Sequence, residues 1–498
     1  MSLEALLLGL SLLFLLSILA GKASSRFGVP ALLLFLLVGM LCGSDGLGFQ
    51  FDNTYIAQTI GTVALCIILF AGGMDTKIAE IRPVLAQGLM LATVGVVLTS
   101  VITGFLVWWI LGFTMQSAAV GLLTSLLLAG TMSSTDSASV FAVLRTKGLR
   151  LTNNLRPMLE LESGSNDPMA YILVLVFMDL LKAGTAPVWW QVLGMVLMQL
   201  CVGVVAGFAF GKLAVWAVNR IKIDNASLYP ILVLTFCIFI FSATYFMRGN
   251  GYLAVYIGGL VIGNSSLQHK RSTIGFFNGL TWLCQLLMFL TLGLLVNPHE
   301  LLDVWAPGLI ISFVMIFVSR PASVFLCLLP FRAMPFRDKV YVAWCGLRGA
   351  VPIIFAIMPL AAGIPQARFI FNIVFLCTLV SLLVQGTSLS QMAKWLKLDD
   401  RTARLRELED FDVDFSDEIK SVTTEITVTD SVLERGCHLM DLGLPDKTLV
   451  VMVKRHKKYF VPTGKTVLHA GDKLLIITDD HEALMETYKS VRIDADTK

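Results

Sequence analysis

The stretch "LLLAGTMSSTDSASVFAVL", Leu126 to Leu144, decides the fold. Its ends are as apolar as a membrane span, while its middle, Thr131 to Ser139, is polar and carries a carboxylate, Asp136. Polar, unwound backbone at bilayer depth frees N–H and C=O groups that no water can satisfy. It is tolerated only where it is buried in protein or lines a cavity. A second such stretch, "VAWCGLRGAVPIIFAIMPL" from Val342 to Leu360, holds two glycines, an arginine and a proline in its middle.

The rest of the chain supplies the frame for these two. The 498 residues are 56% hydrophobic and 15% charged, against about 25% charged for an ordinary soluble chain. Charge is sparse before Lys394 and dense after Leu398, which reads as a polytopic membrane protein with a soluble C-terminal piece. A run of roughly 20 apolar residues can cross a bilayer. Thirteen candidates begin near residues 3, 28, 56, 84, 117, 158, 188, 227, 251, 275, 305, 338 and 368. The first lacks a basic n-region and carries Glu4, so it is expected to be a retained helix rather than a cleaved signal.

Loop charge sets the orientation. One alternating set of loops holds Lys22, Arg26, Lys77, Arg82, Arg145, Lys147, Arg150, Arg156, Arg220, Lys222, Lys270, Arg271, Arg332, Arg337 and Lys339. The other holds Lys182, Arg248 and Arg368. Positive loops stay in the cytoplasm, so the N-terminus is expected outside, the C-terminus inside and the number of spans odd. The two interrupted spans are the fifth and the twelfth. An offset of seven makes them cross in opposite directions, and paired broken helices in opposed halves mark an inverted-repeat secondary transporter.

The chemistry is concentrated beside the first break. "LELESGSNDPMAYILVLVFM", Leu159 to Met178, begins polar and runs straight into hydrocarbon. Ser163 and Asp167 are four apart and share a helix face, and Asn166 points about 100° away, suited to bracing the break. With Thr135 and Asp136 these groups form a set of hard oxygen ligands, suited to alkali cations and protons rather than to soft metals. Glu162 lies in the same segment. The six histidines, His269, His299, His438, His456, His469 and His481, all fall outside the apolar runs. That argues against haem or a histidine-built zinc path. A channel is the second class of function, but no TVGYG-like filter occurs. An enzyme is the third, and no nucleophile elbow or metal-ligand motif occurs. No cofactor and no nucleic-acid partner are expected.

"FAGGMD" ending at Asp75, "STD" at Ser134 to Asp136, "ESGSND" at Glu162 to Asp167 and "GLRGAVP" at Gly346 to Pro352 occur in this order. Together they resemble the signature motifs of the monovalent cation–proton antiporters of branch one, the NhaP and animal sodium–proton exchanger group. The resemblance covers residues 1 to about 395. It implies an all-α homodimer of thirteen transmembrane helices, set in membrane lipid, with a mobile core domain. It implies that Asp167 is the main cation and proton site, with Asp136, Thr135 and Ser163 nearby. Asn166 stands where the electrogenic branch has a second aspartate, which implies electroneutral exchange. Glu162 looks like the partner of an arginine, either Arg320 or Arg348. Asp75, in place of the usual glutamate, occupies the position of a cytoplasmic-side gate.

After a charged linker, 396–420, come short β-rich runs, "EITVT", "LVVMVKR" and "KLLIIT", divided by turn signals at Pro445, Gly464 and Gly471–Asp472. Residues 421–490 resemble the TrkA-C regulatory domain of potassium-conductance regulators, a small α/β unit that pairs as a dimer. That resemblance implies a nucleotide or cyclic dinucleotide as ligand. There is no glycine-rich dinucleotide fingerprint, so NAD is not expected. The expected function is exchange of a monovalent cation, K⁺ ahead of Na⁺, for protons across the plasma membrane.

Overall fold

The computed structural model describes residues 3–27, 30–46, 48–49, 51, 53–114, 120–147, 149, 151–183, 189–399, 422–428, 438–442, 444, 448–455 and 458–478. The chain divides into two compact units, Met1–Asp400 and Arg401–Lys498.

The first unit is helical. It opens with α1 (Leu3–Phe27), α2 (Ala31–Cys42) and α3 (Thr54–Asp75). One long helical run follows, from α4 (Ile78–Ile81) and α5 (Leu85–Met90) through a π turn at Leu91–Gly95 into α6 (Val96–Thr114). The first interrupted span is α7 (Leu122–Thr131) and α8 (Ser137–Thr146). Next come α9 (Leu155–Ala183), α10 (Trp189–Arg220), α11 (Leu228–Phe246), α12 (Gly251–Gly263) and α13 (Lys270–Leu295). The short α14 (Pro298–Asp303) precedes α15 (Trp305–Val314), which passes through a second π turn, Met315–Ser319, into α16 (Arg320–Cys327). The second interrupted span is α17 (Phe336–Trp344) and α18 (Ala350–Ala361), and α19 (Ala367–Trp395) closes the unit.

Among the described residues eight helices are long and apolar enough to cross a membrane, and four apolar helices are shorter: Ala31–Cys42, Leu122–Thr131, Gly251–Gly263 and Ala350–Ala361. At 1.5 Å per residue the short ones cover about 15–20 Å of a core about 30 Å thick. Two of them are halves of the interrupted spans. The other two, α2 and α12, bury nearly naked backbone against a neighbour. A Cβ on Gly39 of α2 would lie 2.6 Å from the carbonyl of Leu290 and 2.9 Å from Gly293 Cα on α13. On α12, a Cβ on Gly259 would lie 2.3 Å from the Phe70 carbonyl of α3, and one on Gly73 of α3 would lie 2.3 Å from that of Tyr256. In lipid, where apolar side chains gain nothing by leaving solvent, such small-residue contact is what holds helices together.

Features recur in the two halves. A π turn precedes each interrupted span, and the two π-containing helices touch through a hydrogen bond between Thr99 and Ser323, Oγ1 to Oγ 2.7 Å.

The second unit carries a four-stranded antiparallel sheet, β1 (Val422–Thr427), β2 (Thr448–Arg455), β3 (Lys458–Phe460) and β4 (Lys473–Thr478), in the order β1-β4-β2-β3. β3 is additional to the three runs read from sequence. At three residues it is too short to show a period. The linker from 400 on and the turn at Pro445 lie outside the described residues. Val450, Val453, Leu468, Leu474 and Ile476 form a small core. Arg455 clamps Asp472, Nη2 to Oδ2 2.7 Å. Burial raises the Asp472 carboxyl, but the Arg455 guanidinium and the His469 backbone N–H outweigh it and hold the group below its ordinary value.

Candidate functional site

The two breaks meet. The Asp136 N–H donates to the Leu347 carbonyl at 2.8 Å, so each unwound segment satisfies a group of the other. Side chains from flanking helices complete the accounting. Ser163 Oγ, from α9, donates to the Thr135 carbonyl at 2.9 Å and accepts the Ser137 N–H at 3.0 Å. Gln385 Nε2, from α19, donates to the Trp344 carbonyl at the end of α17 at 2.9 Å, and Ser381 Oγ accepts the Arg348 N–H at 3.0 Å. The Ser381–Gln385 pair, four apart in an apolar span, was a signal in the sequence that motif reading passes over.

Helix-end dipoles set where the charges go. Asp136 Oδ1 accepts the Ser139 N–H at 3.1 Å, capping the N-terminus of α8. Arg348, 1% exposed, donates from Nη1 to the carbonyls of Ser133 (2.9 Å) and Ser134 (2.5 Å), just past the C-terminus of α7. The two glycines of "GLRGA" make room for two charged side chains, Asp136 and Arg320. A Cβ on Gly349 would sit 2.1 Å from Asp136 Oδ2, and one on Gly346 would sit 2.7 Å from Arg320 Nε.

The two arginines weighed as partners of Glu162 are thereby separated. Arg320 Nη2 donates to Glu162 Oε1, and both side chains are at most 3% exposed. Arg348 is occupied with the α7 carbonyls, so its place in the ion-pair group is corrected: it stabilises the first break. Asn166, fully buried, donates from Nδ2 to the Thr135 hydroxyl, which holds the unwound segment against α9. Asp167 accepts a hydrogen bond from Ser134 Oγ. Ser134 was not among the residues singled out in sequence, although it adjoins Thr135.

A cavity of about 620 Å³ joins these groups. Thr135, Asp136, Ser163 and Asp167 all line it, as do Asp75, Lys147, Arg156 and Glu160. Glu162, Arg320, Arg348 and Asn166 are not in its lining. Two carboxylates and several hydroxyls therefore face one cavity inside an apolar unit, an arrangement able to take a cation in exchange for a proton. Within α14, Glu300 accepts from Arg368 at 2.6 and 2.8 Å, and the Arg368 guanidinium pulls its carboxyl down to about 2.

Comparison with known proteins shows the family and the fold. Residues 11–395 match the family model described as sodium/hydrogen exchanger, transmembrane, and residues 424–489 match the TrkA-C domain. The chain is 43% identical over 394 residues to the K(+)/H(+) antiporter NhaP of Alkalimonas amylolytica, covering 79% of this chain and 67% of that protein. It is 39% identical over 473 residues to the K(+)/H(+) antiporter NhaP2 of Shewanella sp. strain ANA-3, covering 94% and 80%. The solved structure of the sodium proton antiporter MjNhaP1 from Methanocaldococcus jannaschii has the same fold, with a TM-score of 0.69 at 23% identity, covering 80% of this chain and 99% of that one. The chain is thus a multi-pass membrane transporter of the sodium/hydrogen exchanger family, followed by a TrkA-C domain.

Proposed function

We propose that this protein exchanges K⁺ for protons, without net charge movement, by exposing one carboxylate site alternately to the two sides of the plasma membrane. The observation that carries the reading is Asp167, a carboxylate on an apolar helix that opens into a cavity shared with Asp136, Thr135 and Ser163. Charge at such depth costs several kcal/mol unless it serves a polar path. The relatives named for K⁺ support K⁺, and the MjNhaP1 likeness favours Na⁺ as the second reading.

The chain is taken to cross thirteen times in two inverted repeats, as a homodimer, with its N-terminus outside. The recurrence of π turn and break in both halves, and the two glycine-packed pairs that each join one half to the other, support the repeat. Asp75, Lys147 and Arg156 belong to loop ends that the charge rule puts in the cytoplasm, and they line the cavity. This conformation then presents Asp167 to the cytoplasm, with Asp75 at the gate.

Electroneutrality follows from Asn166 standing beside Asp167, which leaves one exchanging carboxylate on α9. In vesicles loaded with K⁺ or Na⁺ and clamped in potential, cation-dependent proton flux is expected to be faster with K⁺ and indifferent to an imposed potential. A rate that tracks the potential, or flux with no cation dependence, contradicts the reading.

The tail is taken to regulate. All proposed ion ligands precede residue 350, and the sheet belongs to the second unit. A nucleotide or cyclic dinucleotide bound there acts only if it favours one transport conformation. Leu398 is fully buried and Asp399 bridges to Leu151, so the informative truncation follows Asp400. It is expected to keep cation-dependent exchange, with altered pH or ligand dependence. A stable, inserted truncation with no exchange at any pH would make the tail part of the transport machinery.

A further inference from the structure

Another wall of the cavity that holds Asp167 is built by α13. Asn278, Thr281 and Gln285 line it, three and four residues apart and so on one helix face. Toward the far end of the helix Met288 and Phe289 line it instead. Exposure falls along this wall: Asn278 is exposed, Thr281 and Gln285 are half-buried, and Met288 and Phe289 are buried. The polar side chains stop where the cavity closes.

Thr281 carries a hydroxyl that the packing of the described helices leaves unpaired. Threonine hydroxyls inside helices ordinarily donate to the carbonyl four residues back. Thr273 on the same helix does so at 3.1 Å, and Thr99 and Thr244 do so at 2.7 Å. Thr281 Oγ1 is buried and has no hydrogen-bond partner among the described residues. Such an orphan hydroxyl is unfavourable in an apolar span where valine would fit the same space. Thr103 and Thr378 carry orphan hydroxyls too, but of the three only Thr281 lines the cavity, where a partner present in transit can satisfy it.

We propose that Asn278, Thr281 and Gln285 form a track of neutral oxygens, about 10 Å long, that replaces water around the incoming cation before it reaches Asp167 and so sets the cation preference. This rests on the antiport reading. Carboxylates alone are strong-field ligands and reward the smaller ion. Neutral amide and hydroxyl oxygens offer a weaker field, which replaces the hydration shell of K⁺ at less loss than that of Na⁺. The division of labour is charge and proton exchange at Asp167, and partial dehydration along α13.

The test uses the full-length protein in vesicles, with half-saturating concentrations of K⁺, Rb⁺ and Na⁺ read from proton flux. Thr281→Val is expected to raise half-saturating K⁺ about fivefold or more, to change the K⁺/Na⁺ ratio at least threefold, and to leave the maximal rate within about twofold. Thr281→Ser, which restores the hydroxyl, is expected to recover the wild-type ratio. Gln285→Glu, which strengthens the field, is expected to shift preference toward Na⁺, and it carries the test if Thr281→Val does not accumulate. An unchanged ratio in both variants overturns the proposal, since a merely structural role would move all cations together. Absence of cation-dependent flux in the unmodified protein would instead refute the antiport reading, so the two failures are distinguishable.

Discussion

Asp167→Asn is expected to bring cation-dependent proton exchange down to the background of empty vesicles while the protein still inserts and folds. The side chain is 5% exposed and accepts a hydrogen bond from Ser134. Asparagine keeps the shape and can still accept from that hydroxyl, so the packing of α9 survives. What is lost is the ability to hold a proton in one half of the cycle and a cation in the other. Asp136 is not equivalent, because its carboxylate also caps α8. Its replacement is expected to disturb the break as well as the site. The check is flux from purified Asp167→Asn protein. Retained exchange there would place the ion elsewhere in the cavity.

The second large effect is on stability. Glu162→Gln leaves Arg320 charged, at 2% exposure, with its Nε already lacking a partner among the described residues. Breaking a buried pair in this way costs roughly 3–5 kcal/mol. A clear drop in the unfolding midpoint of the detergent-solubilised protein is therefore expected. Neither residue lines the cavity, so the half-saturating cation concentration of the surviving protein should move little. Neutralising Arg320 as well should restore part of the midpoint, because no uncompensated charge then remains. A double variant no more stable than the single one would show that the pair is not what Glu162 contributes.

Much of this was legible in the sequence because lipid makes polar residues conspicuous. A carboxylate in "TMSSTDSAS" or "ESGSND" stands out against hydrocarbon, and the two breaks identify themselves by glycine, proline and charge. Partnerships were less legible. Whether Arg320 or Arg348 faces Glu162 depends on which helix end lies nearest, and that is settled by packing: α7 ends at Thr131, leaving the carbonyls of Ser133 and Ser134 for Arg348. Ser134, Ser381 and Gln385 were missed for a related reason. Ser381 and Gln385 meet backbone groups at the second break, 33 and 41 residues away, and Ser134 meets the Asp167 side chain 33 residues away. The short α2 and α12 also depart from a rule of one long helix per crossing, since their glycines trade length for backbone contact. In the tail, β-rich composition between turn signals identified three strands, and β3, at three residues, is too short to stand out as a run.

The central claim is that one carboxylate holds either the cation or the proton, and proton release on cation binding tests it most directly. Calorimetric titration of the purified protein with K⁺, in two buffers of different ionisation enthalpy near neutral pH, gives the number of protons released per cation bound. The account predicts close to one proton per cation in the unmodified protein and none in Asp167→Asn. Cation binding without proton release, or release that persists in Asp167→Asn, would contradict it.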